Sequence, residues 1–287
     1  MEAANPTNRT NTKHIAIQGC EGSFHHIASQ QYFGKESKIL ACRTFKELTK
    51  KAEDKAISEG GVMAIENSIA GSILSNYELL QKSKLKITGE IYLKIEQHLL
   101  VINGTGLSDI REVHSHPMAF LQCDSFLEKF DWKQIEKPDT ASSAKELGQS
   151  QLRSVGVIGS ELAAELYGLV VLTSSIQSEK NNYTRFLVLE SENNEIDIEA
   201  CNKASVYFTT QNKSGSLAEV LSLIHAAAVN LTKIQSFPIP KRIWEYGFYV
   251  DMEFENVSQF NDAMHHIKFV VESLRIHGIY KRGVLPN

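Results

Sequence analysis

The chain has 287 residues, 42% of them hydrophobic and 22% charged, a balance that suits a globular protein of about two domains. Its net charge of −4 leaves no cationic excess to neutralise a phosphate backbone, which argues against nucleic acid as a partner. No apolar run reaches the roughly 20 residues of a membrane span, and residues 1–12 are polar without an apolar core, so neither a membrane segment nor a secretory signal is expected.

Residues 1–12 are expected to form a disordered tail. The cysteines, Cys20, Cys42, Cys123 and Cys201, are far apart and form no C-x-x-C. They read as reduced thiols of a cytoplasmic protein rather than as disulfides or zinc ligands.

In chain order, "HIAIQG" (14–19) is a strand pattern ending in glycine, ahead of a helical "FHHIASQQYF". "SKILACRTF" precedes the amphipathic "KELTKKAEDKAI", and "GGVMAIENS" (60–68) precedes "ILSNYELLQK". "REVHSHP", "WKQIEKPD" and "RSVGVIGS" each stand before a further helical pattern. Strands alternating with helices predict α/β units around a largely parallel sheet, whose ligands sit at the carboxyl ends of the strands. The polar clusters "GCEGS", "ENS", "HSHP" and "DTASS" fall mostly at such ends. "NNYTRFLVLE" (181–190) loads amides, a phenol, a hydroxyl and a guanidinium onto the entrance of an apolar strand. Together these could line one crevice.

The polar, acidic stretch 191–202 reads as a linker. After it, "KASVYFTT" is a strand, and Leu217, Val220, Leu221 and Ile224 mark one face of a helix. "LTKIQSFPI" and "WEYGFYVDMEF" are two more strands. A second helix is expected over about 258–274, with Phe260, Met264, Ile267, Val271 and Leu274 on one face, and "HGIYKRGVL" closes as a strand. That order, βαββαβ, is the ferredoxin-like motif.

No P-loop, nucleophile elbow or complete G-x-G-x-x-G is present, and no His/Cys spacing suits a metal. What remains is a set of hydroxyls, amides and one arginine: Ser23, Asn67, Ser68, Ser115, Gln122, Thr140, Thr184 and Arg185. Each has a structural use, since Ser, Thr and Asn cap helices and satisfy turns, and Ser68 and Thr140 stand where caps are expected. A capped helix start is also an anion site, so the two uses are compatible.

Six motifs, in order, resemble those of prephenate dehydratases, a catalytic domain followed by an ACT regulatory domain. They are "GCEGSFHHIA", "AIENSIAGSI", "VHSHPMAFLQC", "DTASSAKEL", "IGSELAAELYGL" and "NNYTRFLVL". The resemblance implies a two-lobed α/β catalytic domain over 13–190, similar to type II periplasmic binding proteins. The linker 191–202 and an α+β ACT domain over 203–287 would follow. It implies decarboxylative dehydration of prephenate to phenylpyruvate, in phenylalanine biosynthesis, with neither metal nor cofactor. Thr184 would be the catalytic donor to the leaving hydroxyl, and Arg185 a partner for a carboxylate. Ser23, Glu66, Asn67, Ser68, Ser115, His116, Gln122, Thr140 and Phe186 would complete the substrate site.

"SGSLAEV" and "KIQSFP" resemble the two ACT motifs that bind L-phenylalanine across a dimer. The resemblance implies an allosteric inhibitor site at Gly215, Ser216, Leu217, Ala218, Asn230, Leu231, Gln235 and Ser236, in a homodimer or homotetramer. Gln235 replaces a glutamate and Phe237 an arginine, so this site is altered. Cys20, Ser23, His25 and Met118 also depart from the family pattern. His25 is read as a surface substitution, with a titrating group near the cleft as its alternative, and Met118 as a packing residue. Two other functions fit the sequence: an arogenate dehydratase, with the same chemistry on the amino analogue, and an amino-acid sensor without turnover.

Overall fold

The computed structural model describes residues 14–191, 197–240 and 242–286. The expected tail lies outside these residues, as do 192–196 of the expected linker. The chain divides into two compact units. The first runs to Ser83 and resumes over Ile91–Phe186, and the second holds Lys84–Glu90 and Leu187–Leu285.

The first unit opens with β1 (His14–Gln18), α1 (Phe24–Phe33), β2 (Ile39–Cys42) and α2 (Phe45–Glu53). It continues through β3 (Ser58–Asn67), β4 (Gly71–Ser72) and α3 (Leu74–Lys82). Strands β1, β2 and β3 pair in parallel, and β4 folds back antiparallel on β3. With β5 (Lys86–Lys94) and β11 (Tyr183–Glu190) the sheet has the order β2-β1-β3-β11-β5. Residues 91–94 and 183–186 are the parts of β5 and β11 within the first unit.

A second sheet is built from β6 (His98–Val101), β7 (Glu112–Ser115), β8 (Lys133–Glu136), β9 (Val155–Gly159) and β10 (Val170–Thr173). Its order is β10-β6-β9-β7-β8. It is mixed rather than largely parallel: β7 pairs in parallel with β8 and β9, but β6 runs antiparallel to both β9 and β10. Side chains alternate across a strand, so one strand can feed two cores. Leu99 and Val101 pack with Val113, Phe120 and Ile158, while Leu100 packs on the opposite face with Leu147, Val157 and Leu169. The covering helices are α4 (Pro117–Gln122), α5 (Asp124–Leu127), α6 (Thr140–Ser150) and α7 (Glu161–Tyr167).

Side-chain caps start most of these helices. Ser23, Thr44, Asp139 and Ser160 accept from the backbone nitrogens of His26, Glu47, Ser142 and Ala163. Two expected caps lie elsewhere. Thr140 is the first residue of α6, because the stronger acceptor Asp139 precedes it. Ser68 begins no helix; its hydroxyl accepts from the Tyr183 nitrogen at 2.9 Å and donates to the Asn181 carbonyl.

The second unit contains β12 (Lys203–Thr209), α8 (Ser216–Ala226), β13 (Asn230–Pro238), β14 (Tyr246–Glu253), α9 (Val257–Ile267) and β15 (Ser273–Tyr280). The βαββαβ order and the sheet order β13-β14-β12-β15 are those of the ferredoxin-like motif. The α8 and α9 faces cover a core of Val206, Phe208, Val220, Ile224, Val250, Phe260 and Ile267. Helix α9 ends earlier than expected. The nitrogens of Val270 and Val271 both bond to the Ile267 carbonyl, and Leu274 already pairs with Phe208 in the sheet. Val271 and Leu274 still pack on the core, so the apolar pattern runs on through the helix end. In the same unit Lys203 is 1% exposed, with its Nζ 3.0 Å from Glu90 and 3.2 Å from Glu253.

Candidate active site

The first unit contains a cleft of about 440 Å³. Of the residues expected at a site, Ser23, Asn67, His116, Gln122, Thr140, Thr184 and Phe186 line it. Glu66, Ser68, Ser115 and Arg185 do not. Ser115 is buried and donates to the Ile158 carbonyl, which makes it a tie within the second sheet. Arg185 is 6% exposed. Strand alternation explains the split: Thr184 and Phe186 are both on the cleft, while the residue between them is turned to the other face.

One wall is the end of β1 and the start of α1, with Gln18, Gly19, Ser23, Phe24 and His25. The loop between them leans on α7. Ser160 Oγ donates to the Gly22 carbonyl at 2.5 Å, and the Tyr167 hydroxyl donates to the Glu21 carbonyl at 2.7 Å. Gly22 has φ +84°, and a Cβ there would lie 2.9 Å from the Ala163 Cα, so both conformation and space call for glycine.

His25 is not a surface residue. It is 9% exposed and lines the cleft, and its Nε2 accepts from the Ala64 nitrogen at 3.3 Å. Burial lowers its pKa to about 3. Met118, expected to pack, is 40% exposed and also lines the cleft.

Asn67, at the end of β3, closes the site's polar network. Its Oδ1 accepts from the nitrogens of Ile69 and Ala70 at 3.0 and 2.9 Å, which fixes the amide's orientation. Its Nδ2 therefore faces β11 and donates to Asn182 Oδ1 at 2.7 Å and Thr184 Oγ1 at 3.0 Å. A hydroxyl that accepts from Asn67 keeps its own hydrogen for another acceptor, and Thr184 lines the cleft. His116 follows the same logic. Its Nδ1 accepts from the Met118 nitrogen at 3.1 Å, so in the neutral ring the proton sits on Nε2. Gln122 Oε1 accepts from Gln97 Nε2 at 3.1 Å. Fixed donors of this kind suit a ligand rich in anionic oxygen. Sequence reasoning missed Gln18, Gln97 and Asp139 among the polar lining residues, and placed His25 near the cleft only as the alternative to a surface substitution. Asp139 was legible as the cap before Thr140, and Gln18 and Gln97 carry no local signal.

The sequence model of the prephenate dehydratase family matches residues 15–194. The chain belongs to that family. A bifunctional chorismate mutase/prephenate dehydratase of Enterobacter agglomerans is 31% identical over 278 residues, covering 95% of this chain and 72% of the relative. Arogenate dehydratase 2 of Petunia hybrida is 34% identical over 281 residues, covering 93% and 71%. Among solved structures, GqqA, described as a novel type of quorum-quenching acylase, is 27% identical with a TM-score of 0.85, over 94% of this chain and 98% of that one. The prephenate dehydratase of Arthrobacter aurescens, in complex with L-Phe, has the same fold. It is 23% identical, with a TM-score of 0.83 over 94% of this chain and 90% of that one.

The second unit has a smaller cavity of about 140 Å³ at the start of α8. Among the residues expected to hold an effector, Ser216 and Leu217 line it, and Gly215 precedes them with φ +87°. Ala218 is in the first turn of α8 but off the lining. Asn230, Leu231, Gln235 and Ser236 are on β13, one of the sheet's two edge strands, and none lines this cavity. Gln235 Nε2 donates to the Ser236 carbonyl at 3.2 Å. Thr210, Lys213, Tyr246 and Phe248, which line the cavity, were not anticipated.

Proposed function

We propose that the chain converts prephenate to phenylpyruvate in the cleft of its first unit. The observation that carries this reading is the Asn67–Thr184 bond at 3.0 Å, with the Asn67 oxygen already filled by two backbone nitrogens. It leaves the Thr184 hydroxyl hydrogen to be offered to a leaving oxygen. In the reaction the ring carboxylate departs as carbon dioxide. Its electron pair completes the aromatic ring, and the ring hydroxyl departs with one added proton as water. The protein must align the breaking bonds and support the departing oxygen with donors, the work of positioning and oriented hydrogen bonds. Ser23, Asn67, His116, Gln122, Thr140, Thr184 and Phe186 form the site in this reading. Glu66, Ser68, Ser115 and Arg185 support it from outside the cleft. The two sheets of the first unit support the two-lobed, periplasmic-binding-protein-like architecture.

The βαββαβ unit over 203–287 is read as an ACT domain, joined by a linker over 191–202 to the catalytic domain over 13–190. It is read as binding L-phenylalanine as a feedback inhibitor. Three observations support this. The cavity at α8 has a helix start for a carboxylate and Phe248 for a ring. Ser216 Oγ is buried there with no partner among the described residues. A structural relative of the same fold was solved with L-Phe. Exposed Ile234, Ile243 and Trp244 on or beside the β13 edge support a homodimer or homotetramer through this unit.

The experiment is side-by-side incubation of the purified chain with prephenate and with arogenate, with products identified by mass. Phenylpyruvate from prephenate at the higher kcat/KM is the expected result. Turnover of arogenate alone would transfer the activity to the amino analogue, and turnover of neither would leave a binding protein.

A further inference from the structure

His25 is the second residue of α1 and turns its Nε2 to the Ala64 nitrogen in β3, 3.3 Å away. A backbone nitrogen only donates, so Nε2 is an acceptor, and the neutral ring carries its proton on Nδ1. Burial holds the ring neutral, with a pKa of about 3. Phe186 stands edge-on to it at 4.9 Å and Phe45 packs at 5.5 Å, so the ring is wedged in one orientation. Nδ1 has no hydrogen-bond partner among the described residues, yet His25 lines the cleft beside Ser23 and Ala64. A ring fixed in this way offers one proton and no free lone pair. It suits an anion's oxygen and has nothing to offer an ammonium.

We propose that His25 is a substrate-binding residue whose Nδ1–H donates to a carboxylate oxygen of the substrate in the cleft. The inference rests on the reading of this cleft as the prephenate site. The opposing role is purely structural: His25 would do no more than satisfy the Ala64 nitrogen and fill space between two phenylalanines. Two substitutions separate the roles. Glutamine reaches as far as Nε2 and can accept from Ala64, but it presents no donor at the Nδ1 position. Asparagine reaches only as far as Nδ1 and can donate there, but it leaves Ala64 unserved.

The test is steady-state kinetics with prephenate on wild type, His25→Gln and His25→Asn, with thermal melts of all three. A hydrogen bond to a charged group is lost in His25→Gln, so KM should rise about 10-fold or more while the melt and kcat change little. His25→Asn should keep KM within about threefold of wild type even though its melt falls. A KM for His25→Gln within about twofold of wild type overturns the proposal, and so does an equal rise in both variants. Wild type that turns over prephenate while His25→Gln keeps its KM defeats this inference alone. Wild type without turnover defeats the underlying reading and the inference with it.

Discussion

The side-chain amide of Asn67 donates to the hydroxyl of Thr184 across 3.0 Å, linking the end of β3 to the second residue of β11. The direction of this bond governs what Thr184 can do. In Asn67→Asp the new carboxylate has no proton to give at neutral pH, and the Thr184 hydroxyl would turn to donate to it. The cleft then loses that donor, and kcat should fall roughly 100-fold or more, the scale for one positioned donor. Rates at saturating prephenate check this, and an Asp variant within about threefold of wild type would show that the bond's direction is immaterial.

Arg185 separates a substrate contact from a structural one. It is 6% exposed and off the cleft. Arg185→Lys keeps the charge but not the planar fork. KM for prephenate should stay within about twofold of wild type, while the denaturation midpoint falls. A KM rise of about tenfold with unchanged stability would place the guanidinium on a substrate carboxylate instead.

Lys203 is the cation between Glu90 and Glu253, at 3.0 and 3.2 Å, and the Gly283 nitrogen also donates to Glu90. Breaking a buried pair strands a charge and costs about 3–5 kcal/mol. Lys203→Ala should lower unfolding free energy by that order in urea titrations, and adding Glu90→Gln should recover part of it. A loss below about 1 kcal/mol would mean that the carboxylates are satisfied without the lysine.

Two buried histidines give stability a pH dependence. Burial lowers the pKa of His25 to about 3. His277 is also lowered to about 3, by burial first and then by the positive charges of Arg275 and Lys86, against an opposing Asp251. The unfolded chain takes up these protons near the ordinary value of 6.5, and the folded chain does not until about 3. Stability is therefore complete above about pH 6.5 and falls as pH drops through that window. The slope approaches about 1.4 kcal/mol per pH unit for each histidine. Urea midpoints at pH 7 and pH 5 should show the decline, and His277→Gln should make it shallower without abolishing it. Equal midpoints at both pH values would contradict the neutral burial of these rings.

Much of this was legible in the sequence because it is local. Helix α1 and strands β13 and β14 follow from apolar period and turn residues. The βαββαβ order follows from six short segments in sequence. The Asn67 and Thr184 positions were legible because each closes or opens a strand with a polar group that the strand does not need. What failed was non-local. Whether Arg185 or Thr184 faces the cleft depends on which side of β11 meets β3, a choice that the string "TRF" does not contain. His25 looked like a surface residue because its partner, the Ala64 nitrogen, is 39 positions away. The second sheet is mixed because β6 enters antiparallel to β9, and strand direction leaves no mark on hydrophobic period. The early end of α9 was hidden because Val271 and Leu274 continue the apolar pattern from a turn and a strand.

The measurement that bears most directly on the account is turnover of prephenate by wild type, Thr184→Ser and Thr184→Ala, followed as phenylpyruvate by absorbance. The account predicts that wild type turns over and that Thr184→Ser retains most of its rate. Thr184→Ala, folded by its melt, should lose roughly 100- to 1,000-fold in kcat, the equivalent of about 2.7–4 kcal/mol for a single positioned donor. Thr184→Ala turning over within about threefold of wild type would contradict it, because the departing hydroxyl would then need no donor from this position.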